Sequence, residues 1–259
     1  MSWSCHGSSH VSMCDALRAA GKIKSSRVYE AMKATDRGLY VAPTHVGPSA
    51  ANSMRKNVEI AYTDRPQPIG HNATISAPHM HAMQLELLES AVPKEGGKVL
   101  DVGAGSGYIA ACFARMVGTS GKVVGVEHIE SLTTMAEANV RRDDCDLIDS
   151  GRLKLLTGDG RLGVPADGPY NAIHVGAAAP TLPKPLVDQL APGGRLVCPV
   201  GPKGAMQKLI LVDRSADGKR FEQQDLGGVI FVPLTDVAVQ VDPNNSTKVN
   251  LLSIAKVGR

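Results

Sequence analysis

The sequence predicts an α/β fold: a doubly wound, mostly parallel sheet with helices on both faces and an antiparallel hairpin at one edge. Three observations predict it. Val99-Leu100-Asp101-Val102-Gly103-Ala104-Gly105-Ser106-Gly107 reads as a buried strand entering a glycine turn, and Ile109 to Val117 reads as the helix that leaves it. From Pro93 onward, short apolar runs alternate with helical patterns, the signature of parallel strands joined by crossover helices. Acidic residues stand at the ends of three successive strand-like runs, at Asp101, Glu127 and Asp159.

The elements follow in chain order. Met13 to Ala20 and Val28 to Ala34 read as two short helices, the first stopped at Gly21 and the second capped by Ser25 or Ser26. Residues 41–60 have poor periodicity and are rich in Pro, Ser, Asn and Ala, as in a surface loop or insertion. Met80 to Ala91 reads as a helix with Met83, Leu87 and Leu88 on one side. Strands are expected over 98–102, 122–126, 153–157, 171–175, 194–200, 207–212 and 228–232, and helices over 108–117, 130–141 and 183–190. The last strands have no helices between them, and Asp217-Gly218-Lys219 suits a tight turn, hence the antiparallel hairpin. The whole chain, 1–259, reads as one domain: a helical segment over 11–92, a core over 93–240 and a tail over 241–259.

Composition narrows the classes. At 43% apolar residues the chain can fill a core, but with only 3% aromatics it must do so with aliphatic side chains. A net charge of +3 and few aromatics argue against a nucleic-acid groove. The five cysteines form no C-x-x-C pair, which disfavours zinc and a disulfide framework and points to a reducing compartment. No apolar run approaches membrane-spanning length and residues 1–10 lack a hydrophobic signal core, so a cytoplasmic location away from membranes is expected.

Glycines at a strand-to-helix turn admit a ligand to the backbone, where helix N–H groups meet it. A tight turn without any ligand has the same composition. Glu127 follows Gly107 by twenty residues, at the end of the next apolar run, where such folds place a carboxylate for ribose hydroxyls. The pair points to an adenosine cofactor. Asp101 beside the turn would repel a pyrophosphate and suit a cationic group, which favours S-adenosylmethionine over NAD; it could instead brace the loop through backbone N–H groups. Gly158-Asp159-Gly160 could present a carboxylate to an adenine amino group or be a plain turn. At the fourth strand end, His174-Val175-Gly176-Ala177-Ala178-Ala179-Pro180 replaces the Asn/Asp-Pro-Pro-aromatic stretch that base-methylating enzymes share, and its small residues leave room for a peptide backbone. His174 and Cys198 suit the core, the first as a hydrogen-bonded side chain. The stretch from Pro68 to His81 admits three readings: a helix start capped by Ser76, a metal site at His79 and His81 with no third ligand nearby, or a wall of the cofactor pocket.

Ala73-Thr74-Ile75-Ser76-Ala77-Pro78-His79-Met80-His81-Ala82 resembles the signature of the protein-L-isoaspartate (D-aspartate) O-methyltransferase family. The resemblance continues through Ala34 to Arg37, Leu100 to Gly107, Cys112 to Val117, Gly158 to Arg161, His174 to Pro180, Asp188 to Leu190 and Val229 to Asp236, over residues 13–240. Residues 41–60 and the tail after Gln240 depart from the pattern.

The resemblance implies the S-adenosylmethionine-dependent methyltransferase type of fold, with S-adenosylhomocysteine as product. It implies methylation of the free α-carboxylate of L-isoaspartyl and D-aspartyl residues in damaged proteins, after which the ester collapses to a succinimide that partly returns to aspartate. It implies a monomer acting on proteins and peptides; the modest charge and the missing Pro-Pro-aromatic stretch argue against a nucleic-acid partner, and the lack of a third ligand near His79 and His81 argues against a metal. A carboxylate is ionised above about pH 4, so the transfer needs no general base, and catalysis reduces to aligning the reacting atoms. By the same resemblance Ser76 is the catalytic residue that orients the substrate carboxylate. Ala73, Thr74, Ile75, Ser76, His81, Asp101, Gly103, Gly105, Glu127, His128, Asp159, Gly160, Thr235 and Gln240 would contact the cofactor. Ala77, Val232 and Pro233 would contact the substrate.

Overall fold

The computed structural model describes residues 5–41 and 60–241. Nearly all of the 41–60 insertion and of the 241–259 tail therefore lies outside the described residues. Two helices open the chain, α1 (His10–Ala19) and α2 (Ser26–Lys33), with Ser9 and Ser25 as their N-caps. A small antiparallel pair, β1 (Gln67–Gly70) and β2 (Ala73–Ile75), precedes α3 (Pro78–Glu89). Ser76 does not cap α3. Ala77 takes the cap position without a side-chain bond, and Pro78 occupies the first turn, where its missing N–H costs nothing.

The core alternates as the pattern predicts: β3 (Lys98–Val102), α4 (Tyr108–Met116), β4 (Lys122–Glu127), α5 (Glu130–Asp144), α6 (Asp146–Asp149), β5 (Leu153–Thr157), β6 (Tyr170–Val175) and α7 (Lys184–Asp188). β7 (Leu190–Val200), β8 (Gln207–Arg214) and β9 (Phe221–Val229) follow, and α8 (Val237–Val241) closes the described chain. The seven strands lie in the order β5-β4-β3-β6-β7-β8-β9. The five from β5 to β7 are parallel, and β8 and β9 are antiparallel additions at one edge. The order reverses between β3 and β6. In open α/β sheets ligands bind beyond the carboxyl ends of the strands at that point.

Alternation along each strand separates two cores. Val99, Val123, Leu153, Ala172 and Val197 face the layer formed by α1 to α5, while Leu100, Val124, Ile173, Leu196 and Cys198 face Leu186 of α7 and neighbouring loops. The expected strand over 228–232 is displaced. β9 runs over Phe221–Val229 and is largely exposed, so its residues are polar. The apolar run that suggested a strand, Val229 to Val232, mostly leaves the sheet. Gly218, with φ +72°, makes the β8–β9 turn.

Candidate active site

The turn after β3 is shaped by three glycines in left-handed backbone, Gly103, Gly105 and Gly107 at φ +76°, +53° and +85°. The N–H groups of Gly103 and Ala104 donate to Val126 O at 2.8 and 3.1 Å, tying the turn to the end of β4. Glu127 completes the tie. One carboxylate oxygen accepts Gly105 N–H at 3.0 Å and the other accepts Ile129 N–H at 3.1 Å. A Cβ on Gly105 would come within 3.2 Å of Ile69 Cδ1, so the backbone stays bare where the turn faces β1.

A cleft opens over this turn at the switch point. Its walls are Ala73 and Thr74 of β2, Gly103 and Gly105, Glu127 and His128, Asp159 and Gly160, and Gly176 and Ala177. The segment after β9 roofs it with Val232, Pro233, Leu234, Thr235 and Gln240. This roof is held as a short extra strand: Ala178 N–H donates to Val232 O and Leu234 N–H to Ala178 O, both at 2.8 Å. The small residues at 177–179 thus admit the chain's own backbone. Gln240 accepts from the His128 ring at 2.7 Å and donates to His71 O at 3.1 Å, while Asn72 Nδ2 donates to Gln240 O.

A second, larger groove of about 560 Å³ lies beside the cleft, walled by Ser76, Ala77, Met80, Met206, Ile230 and Phe231 and edged by Lys22, Asp64 and His79. Two chain segments pass from one cavity to the other. Ala73 and Thr74 line the cleft and Ser76 and Ala77 the groove; Gly228 to Phe231 line the groove and Val232 to Thr235 the cleft. Asp64 accepts both the backbone N–H and the ring Nδ1 of His79, at 2.9 and 2.8 Å, and these bonds hold its carboxyl below the usual range against the opposing effect of burial.

Ten of the residues expected to contact the cofactor therefore meet in one cleft: Ala73, Thr74, Gly103, Gly105, Glu127, His128, Asp159, Gly160, Thr235 and Gln240. Val232 and Pro233, expected at the substrate, line the cleft as well, whereas Ser76 and Ala77 line the groove. Three expected contacts line neither cavity. Ile75 is buried in the helical-layer core. Asp101 does not face the crevice: it points to the helix-covered face of β3, where its register partner His174 bonds it, Nδ1 to Oδ1 at 2.7 Å, and it is fully buried. His174 is the hydrogen-bonded core residue the sequence suggests. His81 is buried against Tyr108, with Arg37 Nη1 3.4 Å from its Nδ1. Burial first, and then the charge of Arg37, push its pKa well below 6.5, so it is neutral. Sequence reasoning missed Gly176 in the cleft wall and Arg161 and Asp236 at its rim. A glycine closing the β6 strand was the available signal for the first.

The sheet order, the glycine turn at the switch point and the acidic second strand end define a class: an adenosine-cofactor fold of the S-adenosylmethionine-dependent methyltransferase type. The family model for protein-L-isoaspartate(D-aspartate) O-methyltransferase matches residues 8–239, and the chain belongs to that family. It is 46% identical over 230 residues to a protein-L-isoaspartate O-methyltransferase of Triticum aestivum, covering 88% of this chain and 92% of that one. It is 42% identical over 244 residues to the Caenorhabditis elegans enzyme of the same name, covering 94% of this chain and all of that one. Among solved structures, a Plasmodium falciparum chain described as a protein-L-isoaspartate O-methyltransferase, in complex with S-adenosyl-L-homocysteine, superposes with a TM-score of 0.74 at 32% identity, covering 88% of this chain and 98% of that one.

Proposed function

We infer that this chain is a protein carboxyl O-methyltransferase that transfers a methyl group from S-adenosylmethionine to the free α-carboxylate of L-isoaspartyl and D-aspartyl residues in damaged proteins. The observation that carries the reading is the pairing of the two cavities, a cofactor cleft and a peptide-sized groove lined by successive stretches of the same two segments, 73–77 and 228–235.

The cleft fits the cofactor by its donor set. Two carboxylates, Glu127 and Asp159, line it, and among the described residues no Lys or Arg does. Arg161 pairs with Asp159 from outside the cleft, but Glu127 has no Lys or Arg partner among the described residues, so a pyrophosphate would meet its charge whereas an adenosyl group with a cationic tail meets an acceptor. When bound, S-adenosylmethionine supplies an electrophilic methyl group. The chain's own residues do the rest. Glu127 would accept the ribose hydroxyls on lone pairs its backbone bonds leave unused. His128 and Gly160 would flank the adenine, and Asp159 would meet its edge. Thr74, Thr235 and Gln240 would close the sides. Ser76, on the groove side of the shared wall, would donate its hydroxyl proton to the substrate carboxylate and hold one oxygen in line for transfer. The substrate anion arrives ionised and needs no base. Ala77 and the apolar stretch ahead of Val232 and Pro233 would seat its backbone and flanking residues.

Labelled S-adenosylmethionine offered to an isoaspartyl peptide and to an RNA in one mixture tests the reading. Label is expected in the peptide. Label in the RNA, or binding of NAD rather than S-adenosylhomocysteine in a calorimeter, would overturn it. We further place the protein in the cytoplasm as a monomer forming one domain. Among the described residues no helix is long and apolar enough to cross a membrane.

A further inference from the structure

Besides the backbone pairing of 232–234 with Ala178, side chains fasten the roof over the cleft at two places. At one, Gln240 reaches His128 and His71, as described. At the other, Arg161 holds two carboxylates from different parts of the chain. Its Nε lies 2.9 and 3.1 Å from the two oxygens of Asp159, its Nη2 lies 2.8 Å from Asp159 Oδ2, and the same Nη2 reaches Asp236 Oδ1 at 2.7 Å. Asp159 also accepts Arg161 N–H at 3.0 Å. These bonds keep the Asp159 carboxyl below the usual carboxylate range and raise the guanidinium pKa further still. The planar fork suits this double duty, which a lysine could not match.

Val232 to Thr235 and Gln240 lie over this cleft as its roof. A cofactor seated on the glycine turn would lie beneath that roof, so entry from this side requires the 232–241 segment to move. The geometry points to Arg161 as a positioning residue: a latch that releases this segment for cofactor entry and fastens it, through Asp236, over the occupied cleft. All three groups of the latch are two-fifths or more exposed, which makes its ion pairs weak. Weakness suits a contact that must break and reform at each turnover. The inference rests on the proposed cofactor reading and adds a residue which that reading leaves unused.

The test is binding of S-adenosylhomocysteine to the full chain by calorimetry and stopped flow, with amide exchange across 232–241. Arg161→Ala is expected to weaken binding about tenfold, chiefly through faster dissociation, and Asp236→Asn about threefold. The double variant is expected to match Arg161→Ala, because the two act in series. Ligand should slow exchange in the segment of the wild type and not of Arg161→Ala. The KM for S-adenosylmethionine should rise while that for the peptide holds, a split that general destabilisation does not produce. Should Arg161→Ala fail to fold, Asp236→Asn, at a half-exposed position, carries the same prediction in dissociation rate and exchange. Affinity within twofold of wild type in Arg161→Ala, or losses that add in the double variant, would overturn the latch. A wild type that binds no S-adenosylhomocysteine would instead refute the cofactor reading, so the two failures are distinguishable.

Discussion

Replacing Glu127 probes the turn and the cofactor at once. Its carboxylate is nearly buried and accepts two backbone N–H groups, one from Gly105 in the glycine turn and one from Ile129 at the start of α5. Glu127→Ala removes both acceptors. A hydrogen bond to a charged group contributes about 1.5–3 kcal/mol, and cleft water can reach part of the gap, so the lower end applies and the pair loses about 3 kcal/mol. For a chain of this size that corresponds to a melting temperature lower by roughly 6–12 °C. Glu127→Gln is a sharper test. The amide keeps one oxygen, but its NH₂ must face one of two N–H donors, so it should lose roughly half as much stability. Both variants should lose S-adenosylhomocysteine affinity by at least about tenfold, or 1.4 kcal/mol. Thermal unfolding and calorimetry read the two effects separately. A Glu127→Ala protein that melts within 2 °C of wild type, by the same conversion about 0.5–1 kcal/mol, would refute the claim that this side chain organises the turn.

Further outcomes follow from the same geometry. His81 stays neutral in the folded protein while its unfolded counterpart takes up a proton near pH 6.5. Stability from this group is therefore present above that pH and falls below it by up to about 1.4 kcal/mol per pH unit. His81→Asn should flatten the slope of denaturant stability between pH 6.5 and 5, and an unchanged slope would contradict the assignment. His174→Phe leaves the carboxylate of Asp101 buried without its partner, which should cost about 3–5 kcal/mol, read by urea unfolding; the combined Asp101→Leu, His174→Phe variant should recover part of that loss. Ser76→Ala removes one positioning hydrogen bond of about 1 kcal/mol, so kcat on an isoaspartyl peptide should drop roughly five- to tenfold with S-adenosylhomocysteine affinity unchanged. Full kcat would remove Ser76 from the reaction.

Much of the fold was legible because its parallel strands are buried on both faces, which leaves apolar runs such as Val123 to Val126 and, interrupted only by Asp101, Val99 to Val102. The cleft floor was legible for a related reason: glycines repeated at a strand end mark backbone that must turn sharply and lie bare to what approaches it. Reasoning failed where one physical requirement imitated another. Val229 to Val232 is apolar because it walls a groove and a cleft, so it reads as a strand, while the true edge strand is polar because it is exposed. Asp101 sits one residue before its strand ends, and period-two alternation turns it to the helix-covered face, where His174 meets it in register. A strand end marks a carboxylate's position along the sheet and leaves its face undecided. Arg161 was invisible as a latch because Asp236 lies 75 residues away in the chain. Only the return of the segment after β9 brings them together.

The central claim is that the cleft delivers a methyl group to an ionised carboxylate seated in the neighbouring groove. The most direct measurement is the steady-state rate of label transfer from S-adenosylmethionine to an isoaspartyl peptide and to the otherwise identical normal aspartyl peptide. The account predicts a base-labile methyl ester on the first and background on the second. Equal labelling of both peptides, or of neither, would contradict it.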